Sequence, residues 1–438
     1  MEWYWMGLII FGLLMIVLLS GVNVGFGFML ISLVGTIIIY GGGERSIFIL
    51  FTGMRAALSN FFIISVPMFI LLGEVMFHSG LASNMLDAVD AWLGKLPGRL
   101  GLVAVSWSTL LAASTGVNMA SAAMLGKLLL PEMEKRGYNR TLSLGCIMGP
   151  GGLAMIIPPS GLAVLLGVLA EIPIGKLLLT GVPAGLLMAT LMGIYIIGIS
   201  WLKPSMAPRY DVKSQPLSQK LKASLNLIPL AVIICCVMGL MFFGIATPTE
   251  AAAAGAAGSI VLAALRGRLN WPMFKRCIMG TVEVSCMIFL IIAGATVFTQ
   301  IIAYTGITSN LSKFAVSLPL PPIGIMICMQ IVVLFLGCLI DPVSIMMITI
   351  PIFMPIVRSL HFDPLWFGIM YLINIDVGFL TPPFGMTLFV MKGVSPPGTT
   401  IDEIYRAAVP FILIDIAAIV FIMVFPNVAL FLPNMMMK

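Results

Sequence analysis

Apolar stretches close to twenty residues long recur along the whole chain, and they decide its solvent. Trp5–Ser20, Leu186–Leu202, Leu227–Phe243 and Val409–Phe431 are examples, and a helix of about 20 such residues spans a hydrocarbon core of roughly 30 Å. Of the 438 residues, 60% are hydrophobic and 9% are charged, against roughly 25% charged in soluble domains. A chain this apolar lacks the polar residues to cover a water-facing exterior. In lipid every backbone polar group needs an internal partner, so the expected fold class is an all-α polytopic membrane protein with about ten crossings. The first apolar run has no basic lead and no small-residue cleavage site, so it is expected to stay in the mature chain.

Several function classes drop out. The net charge of +6 lies in short loops between apolar runs, where membrane topology explains it better than nucleic acid does. The seven cysteines form no C-x-x-C pair and read as packing residues. Gly94-Lys95, Gly126-Lys127 and Gly175-Lys176 are each followed by leucine, so no phosphate-cradling P-loop exists. Neither H-E-x-x-H nor G-x-S-x-G occurs, and only His78 and His361 are available as imidazoles. The expectation is a non-enzyme without ATP or an organic cofactor, driven by an ion gradient or by the solute's own gradient.

The chain also repeats itself. Pro131 and Pro355, the Pro158-Pro159 and Pro382-Pro383 pairs, Gly161 and Gly385, and Pro173 and Pro397 are each 224 positions apart. Ile174…Val182-Pro183 matches Ile401…Val409-Pro410 at 227, and Gly80-Leu81-Ala82-Ser83-Asn84 echoes Gly306-Ile307-Thr308-Ser309-Asn310 at 226. Duplication of this kind marks secondary transporters, whose two units often sit inverted in the membrane. Basic residues agree with inversion. Lys95 and Arg99 precede the stretch 101–131 and Lys135, Arg136 and Arg140 follow it, so both its ends read as cytoplasmic and the stretch as a re-entrant hairpin. The equivalent stretch 322–357 has only Arg358 at its end, as a hairpin entering from the opposite face requires. Arg45 and Arg55 run against this parity.

The expected domains are N-terminal scaffold helices at 1–56, with two helices before the first repeat; repeat 1 at 57–200, carrying hairpin 1 at 101–131 and a broken helix at 142–172; a cytoplasmic loop and central scaffold helices at 201–279; and repeat 2 at 280–438, carrying hairpin 2 at 322–357, a broken helix at 364–392 and a final helix. Segments 81–96 and 306–317 read as amphipathic interfacial arms.

Each unit breaks its helices twice, at a hairpin tip and at a diproline. Consecutive prolines remove two N–H donors and clash with the preceding turn, leaving upstream carbonyls without helical partners. Such backbone is tolerated at membrane depth only where it lines a cavity or binds something. The candidate Na⁺ ligands are therefore Ser114, Thr115 and Asn118 at the first tip, Gly152, Pro158 and Ser160 at the first break, Asp341 and Ser344 at the second tip, and Asp376, Gly378, Thr381 and Pro382 at the second break. They offer hard oxygen donors, and about two related cation sites are expected. Ser114, Asn118, Ser160, Asp341 and Thr381 are also candidates to face a substrate, whose negative charge half-helix N-termini would favour. Intramembrane carboxylates are functional by default, which singles out Asp341 and Asp376. Glu74 and Glu283 read as packing or helix-pairing groups, and Lys127 as a snorkelling one.

The run Ser114-Thr115-Gly116-Val117-Asn118-Met119-Ala120-Ser121, with Pro131-Glu132-Met133, Lys135-Arg136-Gly137-Tyr138 and Ile157-Pro158-Pro159-Ser160, resembles the large membrane (M, DctM-like) subunit of tripartite ATP-independent periplasmic (TRAP) transporters. So do Thr247-Pro248-Thr249-Glu250-Ala251, Asp341-Pro342, Phe367-Gly368 and Thr381-Pro382-Pro383-Phe384-Gly385. The resemblance implies an elevator-type transporter in a bacterial inner membrane, importing a carboxylate-bearing solute such as a dicarboxylate or sialic acid with Na⁺. It also implies two partners, a small four-helix membrane subunit (Q type) and a periplasmic substrate-binding protein (P type). The alternative is a standalone Na⁺-coupled carboxylate symporter or antiporter of similar inverted-repeat architecture. Many relatives carry a serine-rich first tip with a small residue followed by an acidic one; here Val117, Asn118 and Ser121 take those places.

Overall fold

A computed structural model of the chain describes residues 3–80, 89–90, 92–94, 96–115, 118–208, 216–383, 385–396 and 398–436. Among the described residues every regular element is a helix. Among the described residues six helices are long and apolar enough to span a membrane: Phe61–His78, Ile174–Leu202, Pro248–Leu265, Trp271–Tyr304, Pro342–Ser359 and Ile401–Val424. The pair Arg140–Ile156 and Gly161–Ala170, bent by 44°, brings the count to seven. Shorter apolar helices include Trp3–Leu18, Val24–Tyr40, Ile228–Phe242 and Pro364–Leu380. The outward surface is rich in large apolar side chains such as Ile38, Trp201, Leu265 and Trp271, as a lipid-facing surface requires.

Two packed groups can be traced. In the first, Trp271–Tyr304 carries Val24–Tyr40 and Gly43–Leu58 along its length, and Ser65–His78 packs on Pro248–Leu265. Missing side chains bring these backbones together. A Cβ on Gly25 would fall 2.7 Å from Leu290 Cγ, and one on Gly294 2.9 Å from the Met29 nitrogen. Ser32 Oγ donates to the Gly294 carbonyl at 2.9 Å across the same contact. Small residues and a hydroxyl–backbone bond are how membrane helices associate without a hydrophobic drive.

The second group holds the helix pairs and the breaks. Arg99–Thr115 and Asn118–Lys135 form one antiparallel pair, and Pro322–Gly337 and Pro342–Ser359 another. Each pair is followed by an interrupted helix. In the first unit this runs Arg140–Met148, a 3₁₀ turn Gly149–Gly152, Leu153–Ile156 and Gly161–Ala170; in the second it runs Pro364–Leu380 and Met386–Val394. The long helices Ile174–Leu202 and Ile401–Val424 close the units.

The sequence interval of 224 also recurs in the backbone. Asn139 and Asp363 both cap the helix that follows, each accepting from two backbone N–H groups. Two residues before each cap, Gly137 and His361 both take left-handed φ values of 76° and 57°. Both diproline bonds are cis.

The N-terminal region differs from expectation, because three helices rather than two precede the first unit. Gly41, Gly42 and Gly43, all at positive φ, turn the chain out of Val24–Tyr40 and into Gly43–Leu58. The third helix carries Glu44, Arg45 and Arg55 and so lacks the apolar run that marks the others. The second arm is present as Ile307–Ser317. Most of the first, at 81–96, lies outside the described residues.

Candidate functional site

The first break is built by its neighbours. Helix Ile174–Leu202 presents Gly181 and Gly185 to it; a Cβ on Gly181 would lie 2.0 Å from the Ile156 carbonyl oxygen, and one on Gly185 2.2 Å from Ile157 Cγ1. Only a bare helix surface admits unwound chain this closely. Ser160 is wholly buried and bridges the break, its Oγ donating to the Met155 carbonyl at 2.5 Å and accepting from Ala163 N at 3.2 Å. The hydroxyl thereby satisfies one carbonyl the prolines release and caps Gly161–Ala170, which leaves it one lone pair. Pro158 lies in the same turn.

The second break meets the second tip. Gly337, at the end of its helix, touches Gly378 through backbone alone, since a Cβ on either would come within 3 Å of the other's Cα. Asp341 caps Pro342–Ser359, accepting from Ser344 N at 3.1 Å and from the Ser344 hydroxyl. Ser344 is fully buried and Asp341 partly so. Thr381 Oγ1 donates to the Val377 carbonyl at 2.6 Å, and Tyr405 donates to the Pro383 carbonyl at 3.1 Å. Pro382 stands beside these groups, partly exposed. Gly337, Asp341, Phe379 and Met386 border a small cavity of about 110 Å³ between tip and break. The structure thus brings Asp341, Ser344 and Gly378 to one place, with Thr381 and Pro382 at the adjoining turn.

At the first tip, Thr115 ends one helix and Asn118 begins the next. Gly116 and Val117 lie outside the described residues, as do the side chains of Ser114, Thr115 and Asn118. Helices of this pair pack on the Gly149–Gly152 turn and on Leu153–Ile156.

Asp376 stands apart from the second break. It lies five residues before Thr381, about 7 Å along a helix, and faces the other unit. A Cβ on Gly152 would fall 1.6 Å from Asp376 Oδ1, so two residues expected at different breaks are in contact. They are also equivalent positions of the repeat, 224 apart. Asp376 is fully buried, and neither carboxylate oxygen has a hydrogen-bond partner among the described residues.

Sequence reasoning missed Asp415, which is equally buried and, among the described residues, equally without a partner on either oxygen. A signal was there: it is the one acid in the apolar body of Ile401–Val424 after the first turn. A crevice of about 480 Å³ also escaped it. Asn60, Thr296, Thr299 and Thr308 line one wall, and Pro351, Pro355 and Arg358 the other, so it lies between the two packed groups. Arg358 donates to the Ala170 carbonyl at 3.2 Å and pairs loosely with Glu171 at 3.4 Å, both side chains more than half exposed. Of the remaining candidates, Glu74 pairs with His78 at 3.2 Å.

Comparison with known proteins agrees with this architecture. The family described as "Tripartite ATP-independent periplasmic transporter, DctM component" matches residues 11–428. The C4-dicarboxylate TRAP transporter large permease DctM of Pseudomonas aeruginosa is 31% identical over 86% of this chain and 87% of its own length. The sialic acid TRAP transporter large permease SiaM of Vibrio cholerae is 28% identical over 95% of this chain and 96% of its own. The isethionate permease DctMQ of Oleidesulfovibrio alaskensis is 29% identical over 97% of this chain, which spans 66% of that longer protein. Among solved structures, the YdaH transporter of Alcanivorax borkumensis superposes with a TM-score of 0.64 at 14% identity, covering 88% of this chain and 90% of its own. MtrF of Neisseria gonorrhoeae gives 0.62 at 12%, covering 87% and 84%; both likenesses concern the fold. The DctM and SiaM relatives are transporter permeases rather than enzymes, and this chain belongs to the DctM component family, the large membrane subunit of TRAP transporters.

Proposed function

We propose that this subunit imports a carboxylate-bearing solute together with Na⁺, by elevator-type alternating access across a bacterial inner membrane. A periplasmic binding protein would deliver the solute and a small four-helix subunit would brace the scaffold. The observation that carries the reading is the pairing of tip and break. Asp341 and Gly337 border one small cavity, Ser344 is bonded to Asp341 and Gly378 touches Gly337, beside backbone interrupted at the same repeat position in both units.

The two packed groups supply the parts of the mechanism. Trp271–Tyr304 and the helices around it form the fixed wall; the helix pairs and breaks form the moving body, its two units inverted. The crevice between them, at about 480 Å³, is of the size that small-molecule sites occupy. Its threonine hydroxyls suit a polar solute, and the Arg358 guanidinium, held weakly by exposed Glu171, is free to exchange that partner for a substrate carboxylate. Sodium, as a co-transported substrate, would be held by hard oxygens at the second tip and break. Asp341 and Thr381 carry that role, with Ser114, Thr115 and Asn118 as the matching candidates at the first tip and Pro158 and Ser160 at its break. An ion between tip and break screens the carboxylate and ties the two segments together, which couples its binding to closure of the moving body.

Reconstitution tests this. Proteoliposomes holding this chain and the neighbouring small subunit should take up the solute only with an inward Na⁺ gradient and an added binding protein loaded with it. Gradient-driven uptake without a binding protein would assign the chain to the standalone symporters or antiporters. Such a role is compatible with the fold shared with MtrF, which belongs to a class of antimetabolite efflux pumps.

A further inference from the structure

Asp376 and Asp415 are the most anomalous groups in the molecule. Both are wholly inaccessible, and among the described residues all four of their carboxylate oxygens lack a hydrogen-bond donor. Among the described residues no lysine, arginine or histidine forms an ion pair with either. Helices Pro364–Leu380 and Ile401–Val424 pack on each other, and the Gly149–Gly152 turn packs on both. Phe411 lies across Gly149, where a Cβ would fall 2.1 Å from its ring; Asp415 comes one helical turn later. Asp376 lies on Gly152 at the other end of the same turn.

The repeat makes the arrangement more telling. Asp376 is equivalent to Gly152 at the interval of 224, and Asp415 to Met188 at the interval of 227. One unit thus contributes two acids, while the other contributes a glycine that makes room and a fully buried methionine. The pair is specific to one half, so it is not a copy of the tip-and-break sites, which recur in both. Two carboxylates buried without donors are costly unless a positive charge joins them. The 3₁₀ turn beside them ends six residues before Pro158, and its main-chain carbonyls lie outside regular α-helical bonding. Carboxylate and carbonyl oxygens are the ligands of hard cations.

We infer that Asp376 and Asp415, with the Gly149–Gly152 turn, form a hard-cation site at the junction of the two units, separate from the hairpin tips. It goes beyond the sodium-coupled reading and borrows from it only the choice of Na⁺ as the first probe. An ion here joins elements of both halves inside the moving body, and so ties binding to the integrity of that body rather than to its gates.

The test is equilibrium binding of ²²Na⁺ to the purified subunit complex in detergent, with melting followed in NaCl, CaCl₂ and choline chloride. Asp415→Asn should lower the bound sodium by one ion per chain while Asp341→Asn still shows this ion. Asp415→Met, which places the other unit's residue at the equivalent position, should melt higher than wild type in choline and lose part of the rise that sodium produces. If calcium rather than sodium produces a rise that both Asp415 variants lose, the site stands as a divalent-cation site. Unchanged ion counts and unchanged cation-dependent melting in both Asp415 variants would overturn the inference and leave the tip-and-break sites intact. Absence of any cation binding by the wild-type complex would sink the sodium-coupled reading as well.

Discussion

Gly152→Ala puts the contact between the two units under direct strain. The added methyl would sit 1.6 Å from Asp376 Oδ1 and 1.7 Å from its Cγ, far inside van der Waals range, so one element has to move. Asp376 has no room, since it is fully buried on a helix whose residues from Trp366 to Leu380 are all buried. The turn has none either, because Gly149 is already pinned beneath Phe411. Overpacking of this kind costs about 1–3 kcal/mol, while replacing glycine by alanine in helical backbone returns roughly 0.5–1 kcal/mol. The net expectation is a loss of up to about 2.5 kcal/mol, a sizeable share of the roughly 5–15 kcal/mol typical of folded domains. Reversible SDS titration in mixed micelles, followed by tryptophan fluorescence, measures it. The decisive comparison is a double-mutant cycle with Asp376→Ala, which removes the carboxyl the methyl strikes. In that background Gly152→Ala should be neutral to stabilising, by up to about 1 kcal/mol, giving a coupling of about 1 kcal/mol or more. Equal losses in the two backgrounds would refute the contact, and with it the meeting of the repeats at these residues.

Two further outcomes follow from the capping geometry. Asp341→Asn should leave stability nearly unchanged, because asparagine caps a helix about as well as aspartate, yet abolish sodium-driven uptake in proteoliposomes; uptake with unaltered sodium dependence would remove Asp341 from the coupling site. Ser160→Ala deletes the bonds to the Met155 carbonyl and to Ala163 N and should cost about 1–2 kcal/mol in the same SDS titration. A fully stable Ser160→Ala protein would mean that the released carbonyl finds another donor.

Much of this architecture is legible in the sequence because prolines and glycines act locally. Paired prolines end a helix wherever they stand, so Pro158-Pro159 and Pro382-Pro383 announce their breaks and their interval announces the repeat. Asn139 and Asp363 fall in the same category, being caps read from neighbouring backbone. Three-dimensional partnerships are less visible. Nothing within Pro364–Leu380 indicates that Asp376 turns away from its own diproline toward Gly152, because that depends on how two segments over two hundred residues apart cross. Asp415 was visible as a lone acid in an apolar helix, but its meaning comes from Asp376. The extra N-terminal helix Gly43–Leu58 escapes an apolar-run criterion because its charges interrupt the run. The crevice with Arg358 could not be anticipated, as its walls come from four separate stretches of chain.

The crossing of Gly337 and Gly378 has a kinetic consequence. A barrier made by a bulky side chain opens when one torsion flips, within picoseconds to nanoseconds at an exposed position; displacement of a whole segment takes microseconds to milliseconds. Here main chain rests on main chain and there is nothing to swing aside. In the proposed mechanism, opening this crossing requires the tip itself to lift, so leakage past it would be timed by the slow clock of the backbone.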